Sequence, residues 1–336
     1  MKIIVTGGLG FIGSSVIKHL IKRGNVQILN IDKKTYAANP KYLDFLKDNE
    51  KYKFKEGDIA DKKLIETLLR DFNPEVIMNL AAETHVDRSI NNPEKFIHTN
   101  IIGTFNLLEC VRNYLKSESK NVSKNFRFHH ISTDEVFGSL GEIGLFNESS
   151  QYRPSSPYSA SKASSDHLVR AWHNTFGIPT LITNCSNNYG PNQYPEKLIP
   201  LTIINALAGK VIPIYGNGEQ IRDWLYVDDH ADALYQIIQK GKIGETYNIG
   251  SNNEITNIEI VKKICLILDK KIKEKPLNIK SFCELISFVQ DRPGHDYRYG
   301  IDSSKLRNQL NWEPTTNLDT GLEKTVDWYL KNQPHK

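Results

Sequence analysis

Cysteine is scarce, and none is spaced for chemistry. The four residues, Cys110, Cys185, Cys265 and Cys283, include no CxxC pair. That spacing argues against a disulfide framework or a cysteine zinc site and fits a reducing, cytoplasmic setting. Long apolar runs are missing too. No stretch reaches the roughly 20 residues of a membrane span, and Ile3-Ile4-Val5 is too short for a signal peptide. The net charge is only +4 over 336 residues, too little to argue for nucleic acid or an anionic membrane as partner. There are no internal repeats and no low-complexity segment. No His, Cys and carboxylate grouping has metal-ligand spacing. What is left is an ordinary soluble composition, 39% hydrophobic and 24% charged, enough for one large domain or two intimate ones.

Strand-like and helix-like stretches alternate along the first half. Lys2–Val5 is short, β-branched and ended by glycine, so it reads as a buried strand. A helical pattern runs to about Lys22, and Val26–Ile31 is a second strand closed by Asp32. Further strands are expected at Lys53–Glu56, Glu75–Leu80, Phe126–Ser132 and Pro179–Thr183. Helices are expected from Asp61 to Arg70, from Pro93 to about Leu115, and after Pro157, with a polar, lysine-rich connection over Ser117–Asn125. This alternation predicts an α/β fold, a Rossmann-type doubly wound parallel sheet with right-handed crossovers. After about residue 188 the texture changes to a smaller mixed α/β lobe facing the substrate. We expect residues 1–188 to form the cofactor domain, 189–336 mostly the lobe, and 225–250 to return to the main sheet.

Three motifs fall at predicted strand ends, where such sheets bind ligands. Gly7, Gly10 and Gly13 follow the first strand and open a helix, so the backbone can approach a pyrophosphate there. Asp32, nineteen residues after Gly13, suits a ribose 2′-hydroxyl and repels a 2′-phosphate, which favours NAD over NADP. Asp58-Ile59 suits the adenine or an ordinary helix cap equally. Tyr158 and Lys162 are four apart on a helix face. An ammonium near a phenol favours phenolate, a proton acceptor for an alcohol losing hydride. Asp134-Glu135 is the distinctive pair. Two carboxylates in one closed site repel, so one stays protonated while the other ionises, the acid and base needed to remove water. Both can face one site only if the chain leaves β geometry there, and Gly138 allows it. A solvated acidic loop is the competing reading. Arg222, Arg292 and Lys197 offer a phosphate handle or surface ion pairs. His85, Asp87 and Arg88 are substrate contacts or a local ion pair, and His129-His130 reads as strand filler.

The stretches TGGLGFIGSS, NLAAETHVDRSI, STDEVFG, YSASK, SNNYGP, EKLIP, QIRDWLYVDDHADAL and DRPGHDYRY make the chain resemble the dTDP-glucose 4,6-dehydratase family of extended short-chain dehydrogenases/reductases, over nearly its whole length. The resemblance implies a reaction. Tyr158 deprotonates the sugar 4-hydroxyl as hydride leaves C4 for tightly held NAD, with Thr133 hydrogen-bonded to the C4 oxygen. Glu135 removes the C5 proton and Asp134 protonates the departing 6-hydroxyl. Hydride then returns to C6, giving a 4-keto-6-deoxy sugar nucleotide. Redox change cancels, so the activity is formally that of a lyase.

By the same resemblance, Phe11, Ile12, Asp32, Lys33, Lys34, Thr35, Asp58, Ile59, Leu80, Ala81, Ala82, Glu83, Thr84, Thr99, Tyr158, Lys162 and Asn188 are cofactor contacts. Thr84, Thr133, Asn187, Lys197, Leu198, Pro213, Ile214, Tyr215, Arg222, Asn257, Asp291, Arg292, Pro293, Gly294 and His295 are substrate contacts. A homodimer is implied, with helices 93–115 and 156–175 as candidates for its interface. Two departures stand out. The family has tyrosine where this chain has Phe137, and Ser139–Tyr152 is short. UDP- or CDP-glucose dehydration is the alternative activity. A 4-epimerase needs no C5 acid/base pair, and a non-catalytic NAD-binding module needs none of the catalytic groups.

Overall fold

The computed structural model describes residues 1–117 and 125–332. Seven parallel strands make the central sheet. They are β1 (Lys2–Thr6), β2 (Gln27–Asp32), β3 (Tyr52–Glu56), β4 (Val76–Asn79), β5 (Arg127–Thr133), β6 (Thr180–Cys185) and a later strand, Thr246–Ile249, in the order 246–249, β6, β5, β4, β1, β2, β3. Most of these strands are buried along their length, as strands covered on both faces must be. The order reverses between β1 and β4, which opens a crevice at their carboxyl ends.

Helices cover both faces. On one side α1 (Phe11–Arg23) packs against Val227–Lys240, burying Val16, Ile17 and Leu20 of α1 with Leu234 and Ile237. On the other, α2 (Lys62–Phe72) packs against a helix at Thr104–Ser117, and Ile65, Leu69, Leu107 and Val111 share a core. Asp61 caps α2 by accepting from the Leu64 N–H, as its place in the sequence predicts.

The expected helix from Pro93 is more complicated. A short helix α3 (Val86–Asn91) precedes it, and Glu94–Phe96 leads into a π-helical stretch, Ile97–Gly103, before α4 (Thr104–Ser117). The polar connection predicted over Ser117–Asn125 lies mostly outside the described residues. After β5 the chain makes a 3-10 turn (Asp134–Phe137), and α5 (Pro157–Phe176) follows.

The remaining elements complete the central layers or build a second core. They are β7 (Asn187–Tyr189), α6 (Leu198–Leu207), β8 (Ile212–Tyr215), β9 (Ile221–Tyr226), α7 (Val227–Lys240), β10 (Thr246–Ile249), β11 (Glu254–Thr256), α8 (Asn257–Lys271), β12 (Ile286–Val289), α9 (Ser304–Leu310) and α10 (Leu318–Asn332). Ile199, Ile203, Trp224, Ile260, Ile264, Phe282 and Val326 fill this core. Small sheets β11-β9-β7 and β12-β8 line its inner side. The segment 225–250 divides its loyalty: β9 belongs to a small sheet, while α7 and β10 belong to the central sheet's layers.

Candidate active site

One cleft collects the glycine motif, the carboxylate pair and the Tyr/Lys pair at the carboxyl ends of β1, β4, β5 and β6. The glycine loop forms because β1 must turn at once into α1. Gly7 has φ +71° and donates to Ile31 O at 2.8 Å. A Cβ at Gly13 would stand 2.3 Å from Gly7 O, so only glycine lets the helix start this close to the loop. Among the described residues no side chain caps α1 and none in its first turn is acidic, so its free N–H groups face the cleft as an anion site. These are the features a pyrophosphate requires.

Asp32 ends β2 beside this loop. Its Oδ2 accepts from Leu9 N at 2.9 Å and its Oδ1 from Lys34 N at 2.8 Å, while burial pushes its carboxyl upward from the ordinary range. Phe11, Ile12, Lys33, Thr35, Asp58, Ile59, Leu80, Ala81, Ala82, Thr84, Thr99 and Asn188 line the same cleft. Lys34 and Glu83 are not in its wall. The Lys34 ammonium pairs outward with Glu56 at 2.7 Å, and Glu83 is fixed through its backbone to Asn100.

Asp134 and Glu135 share the cleft because the chain leaves β geometry after Thr133. Gly138 ends the turn at φ +85°, with Arg153 O only 2.3 Å from where a Cβ would stand. Thr133 caps the turn by accepting from Glu135 N and donates to Asp134 Oδ1, both at 3.3 Å. Burial and the neighbouring Glu135 hold Asp134 well above the usual carboxylate range, and its Oδ2 has no hydrogen-bond partner among the described residues. Burial raises Glu135 too, but Arg292, Lys197 and Arg222 oppose it. The pair therefore sits in asymmetric surroundings, with Asp134 the better proton donor and Glu135 the better acceptor.

A capping box between Ser156 and Ser159, with Pro157 in the first turn, starts α5 so that Tyr158 and Lys162 enter the cleft. The Tyr158 ring packs edge-on against Phe96, with centroids 6.3 Å apart. Lys162 Nζ donates to Ile131 O at 2.8 Å. The sequence predicts that this ammonium lowers the phenol's pKa. In the structure burial, then Glu135, raise it well above the ordinary value, and the Thr133 hydroxyl opposes them. Lys162 itself is driven down by burial and sustained by Asp166.

The expected substrate residues divide. Asn187, Lys197, Thr84 and Thr133 line the cleft, and Lys197 Nζ donates to Thr84 O at 3.1 Å. Leu198, Pro213, Ile214, Tyr215, Arg222, Asn257, Asp291, Arg292, Pro293, Gly294 and His295 are not in that wall. Several gather beside it, where Tyr215 donates to Asp87 Oδ2 at 3.3 Å, Arg292 Nη1 lies 3.6 Å from Asp87 Oδ1, and His295 Nδ1 lies 2.6 Å from Asp291 Oδ1. The Arg222 fork is already engaged. It donates to Ile221 O, Tyr297 O and Asp296 O and lies over Tyr299, 4.2 Å from the ring centroid. Its charge, rather than a free fork, is what reaches Glu135. Arg88 pairs with Glu196 at 3.0 Å, and His85 lies 3.8 Å from the same carboxylate, its ring kept toward neutral by burial, while Asp87 meets Tyr215 and Arg292 instead. Sequence reasoning missed Gln193 and Tyr194, which also line the cleft. Their only signal is a place in the turn-rich segment after Asn188.

Comparison with known proteins agrees with this geometry. A family described as GDP-mannose 4,6 dehydratase matches residues 4–325. A dTDP-glucose 4,6-dehydratase of Escherichia coli is 56% identical, over 99% of this chain and 94% of its own. The dTDP-glucose 4,6-dehydratase of Bacillus anthracis, solved in complex with NAD, is 42% identical with a TM-score of 0.87, covering 99% of this chain and 98% of its own. That of Streptomyces venezuelae, solved with NAD bound, has a TM-score of 0.90 at 38% identity and the same coverage. With such identity running through both lobes, the chain belongs to the dTDP-glucose 4,6-dehydratase family of extended short-chain dehydrogenases/reductases.

Proposed function

We propose that the chain is an NAD-dependent hydro-lyase that converts dTDP-glucose to dTDP-4-keto-6-deoxyglucose and water. The observation that carries this reading is the Asp134-Glu135 pair brought into one cleft with Thr133 and Tyr158. Gly7, Gly10 and Gly13 with the α1 N-terminus receive the NAD pyrophosphate, Asp32 the adenosine ribose, and Asp58-Ile59 the adenine. Phe11, Ile12, Lys33, Thr35, Leu80, Ala81, Ala82, Thr84, Thr99 and Asn188 complete that cradle, with Lys34 and Glu83 beside it and outside its wall. Bound NAD supplies a hydride acceptor that is regenerated within one turnover, and a positively charged ring of the sign that lowers the Tyr158 pKa.

The chain's own groups handle the protons. Tyr158, supported by Lys162, takes the 4-hydroxyl proton, and Thr133 holds the C4 oxygen. A ketone at C4 acidifies the C5 proton. Glu135 accepts that proton and Asp134 gives one to the 6-hydroxyl, which leaves as water. The C5–C6 double bond so formed is reduced by hydride at C6 and a proton returned to C5 through Glu135. Lys197, Arg222 and Arg292 supply positive charge for the diphosphate, with Asn187, Leu198, Pro213, Ile214, Tyr215, Asn257, Asp291, Pro293, Gly294 and His295 around the rest of the nucleotide. We divide the chain at residue 188, with 225–250 assigned largely to the cofactor domain.

The same reading includes a cytoplasmic homodimer. Ile90, Ile97, Ile102, Phe105 and Phe176 are exposed apolar side chains on or beside α4 and α5, the surface such a dimer buries. All four cysteines are free, which suits a reducing compartment.

Incubation with dTDP-, UDP- and CDP-glucose in heavy water tests the function. The expected product is a 4-keto-6-deoxy sugar nucleotide carrying deuterium at C5, formed fastest from dTDP-glucose. A galactose nucleotide without exchange would mean a 4-epimerase, and faster turnover of UDP- or CDP-glucose would move the base specificity. Glu135→Gln should abolish C5 exchange and leave C4 oxidation measurable as NADH. Equal loss of both would sink the division of roles.

A further inference from the structure

Asp166 stands on α5 one turn beyond Lys162, so both occupy one helix face. Its carboxylate is fully buried. Oδ2 accepts from Ser132 Oγ and from the Tyr152 hydroxyl, each at 2.8 Å, and from Asn184 Nδ2 at 3.4 Å. Oδ1 faces His130 Nε2 at 3.3 Å. His130 Nδ1 lies 3.1 Å from Asn79 Nδ2, which can only donate, so a neutral ring carries its hydrogen on Nε2, facing Asp166 and Ser165. A buried carboxylate persists only where charges and donors compensate its lost hydration.

The donors on Oδ2 and the cations beside it meet most of that demand, while Oδ1 has no hydrogen-bond partner among the described residues. His130 is neutral, its pKa pushed down to about 4 by burial and then by Lys162. Arg170, a turn further along α5, donates to the Tyr152 hydroxyl at 2.7 Å. Despite burial, the neighbouring His130 ring, then Lys162 and Arg170, hold Asp166 below the ordinary carboxylate range, so it is ionised. Lys162 faces Asp166 on its own helix and Cys185 on β6. That thiol is pushed up to about 12 by burial and stays neutral. Asp166 is thus the ionised group that sustains the buried ammonium.

The same carboxylate secures the strand that carries the chemistry. Ser132, bound to Asp166, precedes Thr133. Lys162 donates to Ile131 O at 2.8 Å, and Asn184 donates to Thr133 O at 3.0 Å. Tyr152 also sets its ring edge against Phe137, with centroids 5.2 Å apart. Asp166 therefore joins α5, β5, β6 and the segment returning from the catalytic turn.

We propose that Asp166 is a positioning residue for proton transfer to Tyr158. It acts through Lys162, which it keeps as a cation, and through Ser132, which it clamps. This rests on the dehydratase reading and adds a residue to it. Asp166→Asn keeps the shape and removes the charge. Lys162 then loses its proton more readily, so the positive charge one helical turn from Tyr158 in the cleft is weakened. Tyr158, which faces Glu135, Asp134 and Cys185, needs a higher pH to accept a proton.

The test is the pH dependence of NADH formation in a single turnover of the NAD-loaded holoenzyme with dTDP-glucose. The expected result for Asp166→Asn is an acidic limb moved upward by about one pH unit, hence a roughly tenfold slower C4 oxidation at neutral pH. KM should change less than about threefold. Ser132→Ala should slow the step without moving the limb. Lys162→Met with Asp166→Asn removes both buried charges and leaves neither unpaired, so it covers the case in which the single variant does not fold. Its limb should coincide with that of Lys162→Met alone. A folded Asp166→Asn with the parent's pH profile, or a further shift in the double variant, overturns the proposal. If the parent makes no 4-keto-6-deoxy product, the functional reading fails instead.

Discussion

Replacing Gly13 by alanine tests whether the glycine loop is built for its ligand or only for its turn. The new Cβ would lie 2.3 Å from Gly7 O, 2.8 Å from Gly8 Cα and 3.0 Å from Gly7 C. All three are backbone atoms, so no side chain can swing aside. An ordinary carbon–oxygen contact requires a gap of about 1 Å more. Helix α1 cannot supply it, because Val16, Ile17 and Leu20 are locked in the core against α7. The loop must therefore move. Overpacking of this kind costs about 1–3 kcal/mol. If the displaced N–H groups are those that receive the pyrophosphate, that energy appears in cofactor binding as a roughly 5- to 150-fold rise in Kd for NAD. Calorimetric titration of cofactor-stripped protein with NAD, with thermal melts alongside, measures both quantities. Gly141→Ala, where a Cβ would meet nothing within 4 Å, is the control and should change neither. Parent-like NAD affinity in Gly13→Ala together with a lowered melting temperature would refute the reasoning, because the strain would then reside in the fold and not in the binding loop.

Other expectations follow from the charges and the surface. Asp134→Asn should stabilise the fold at neutral pH. Burial and Glu135 raise the folded-state pKa of Asp134, so between the unfolded and folded values the unfolded chain has released a proton that the folded chain retains, and folding is penalised as pH rises. The gain should vanish below about pH 4, where both states are protonated, and urea unfolding across pH would expose a pH-independent gain as a contradiction. Lys197→Met removes one of three cations that lower Glu135, so the acidic limb of C5 exchange should move to higher pH in deuterium wash-in. An unchanged limb would mean that Lys197 does not act on the base. Phe105→Asp, at an exposed ring that meets Trp172 edge-on with centroids 5.7 Å apart, should give a folded monomer by sedimentation; a persistent dimer would move the interface elsewhere. Phe137→Tyr puts a hydroxyl into a cluster with Phe146, Ala163 and Ile301 and should cost about 1–3 kcal/mol in unfolding experiments if it stays unpaired.

Most of the central sheet is legible because its inner strands are short apolar runs ended by glycine or a polar cluster and alternate with helical patterns. β3, largely exposed at the sheet edge, is read from its place in that alternation. β11 and β12 are not legible. They are three and four residues long and largely solvent-facing, and each exists only through pairing with β9 or β8. The π-helical stretch Ile97–Gly103 falls inside the helix the sequence predicts from Pro93, since a change of hydrogen-bond period leaves no trace in apolar spacing. The site divides along the same line. Gly13 and Asp32 lie near strand ends, and Tyr158 and Lys162 stand four apart on one helix, so spacing points to all four, which line the cleft. Arg222 shows what spacing withholds: its residue type predicts a fork for phosphate, but only the fold reveals that its donors meet the carbonyls of residues 221, 296 and 297.

Asp134 and Glu135 carry this contrast furthest. Adjacent carboxylates on a strand would point to opposite faces, one of them buried under a helix. The 3-10 turn after Thr133 cancels that alternation, and Gly138 permits it. Once both face one cleft, their surroundings and not their chemistry separate them. Asp134 has Thr133, an unpartnered oxygen and Arg222 set against Glu135 and Asp223, whereas three cations act on Glu135. Exchanging the two residues, Asp134→Glu with Glu135→Asp, conserves total charge and side-chain volume yet changes the reach of each group by about one methylene, roughly 1.5 Å. If position and surroundings assign the roles, the exchanged protein should still form NADH and should keep C5 exchange coupled to water release, slowed by the altered reach of each group. Loss of that coupling would show that the identity of each carboxylate, and not the asymmetry of the charges around it, directs the elimination.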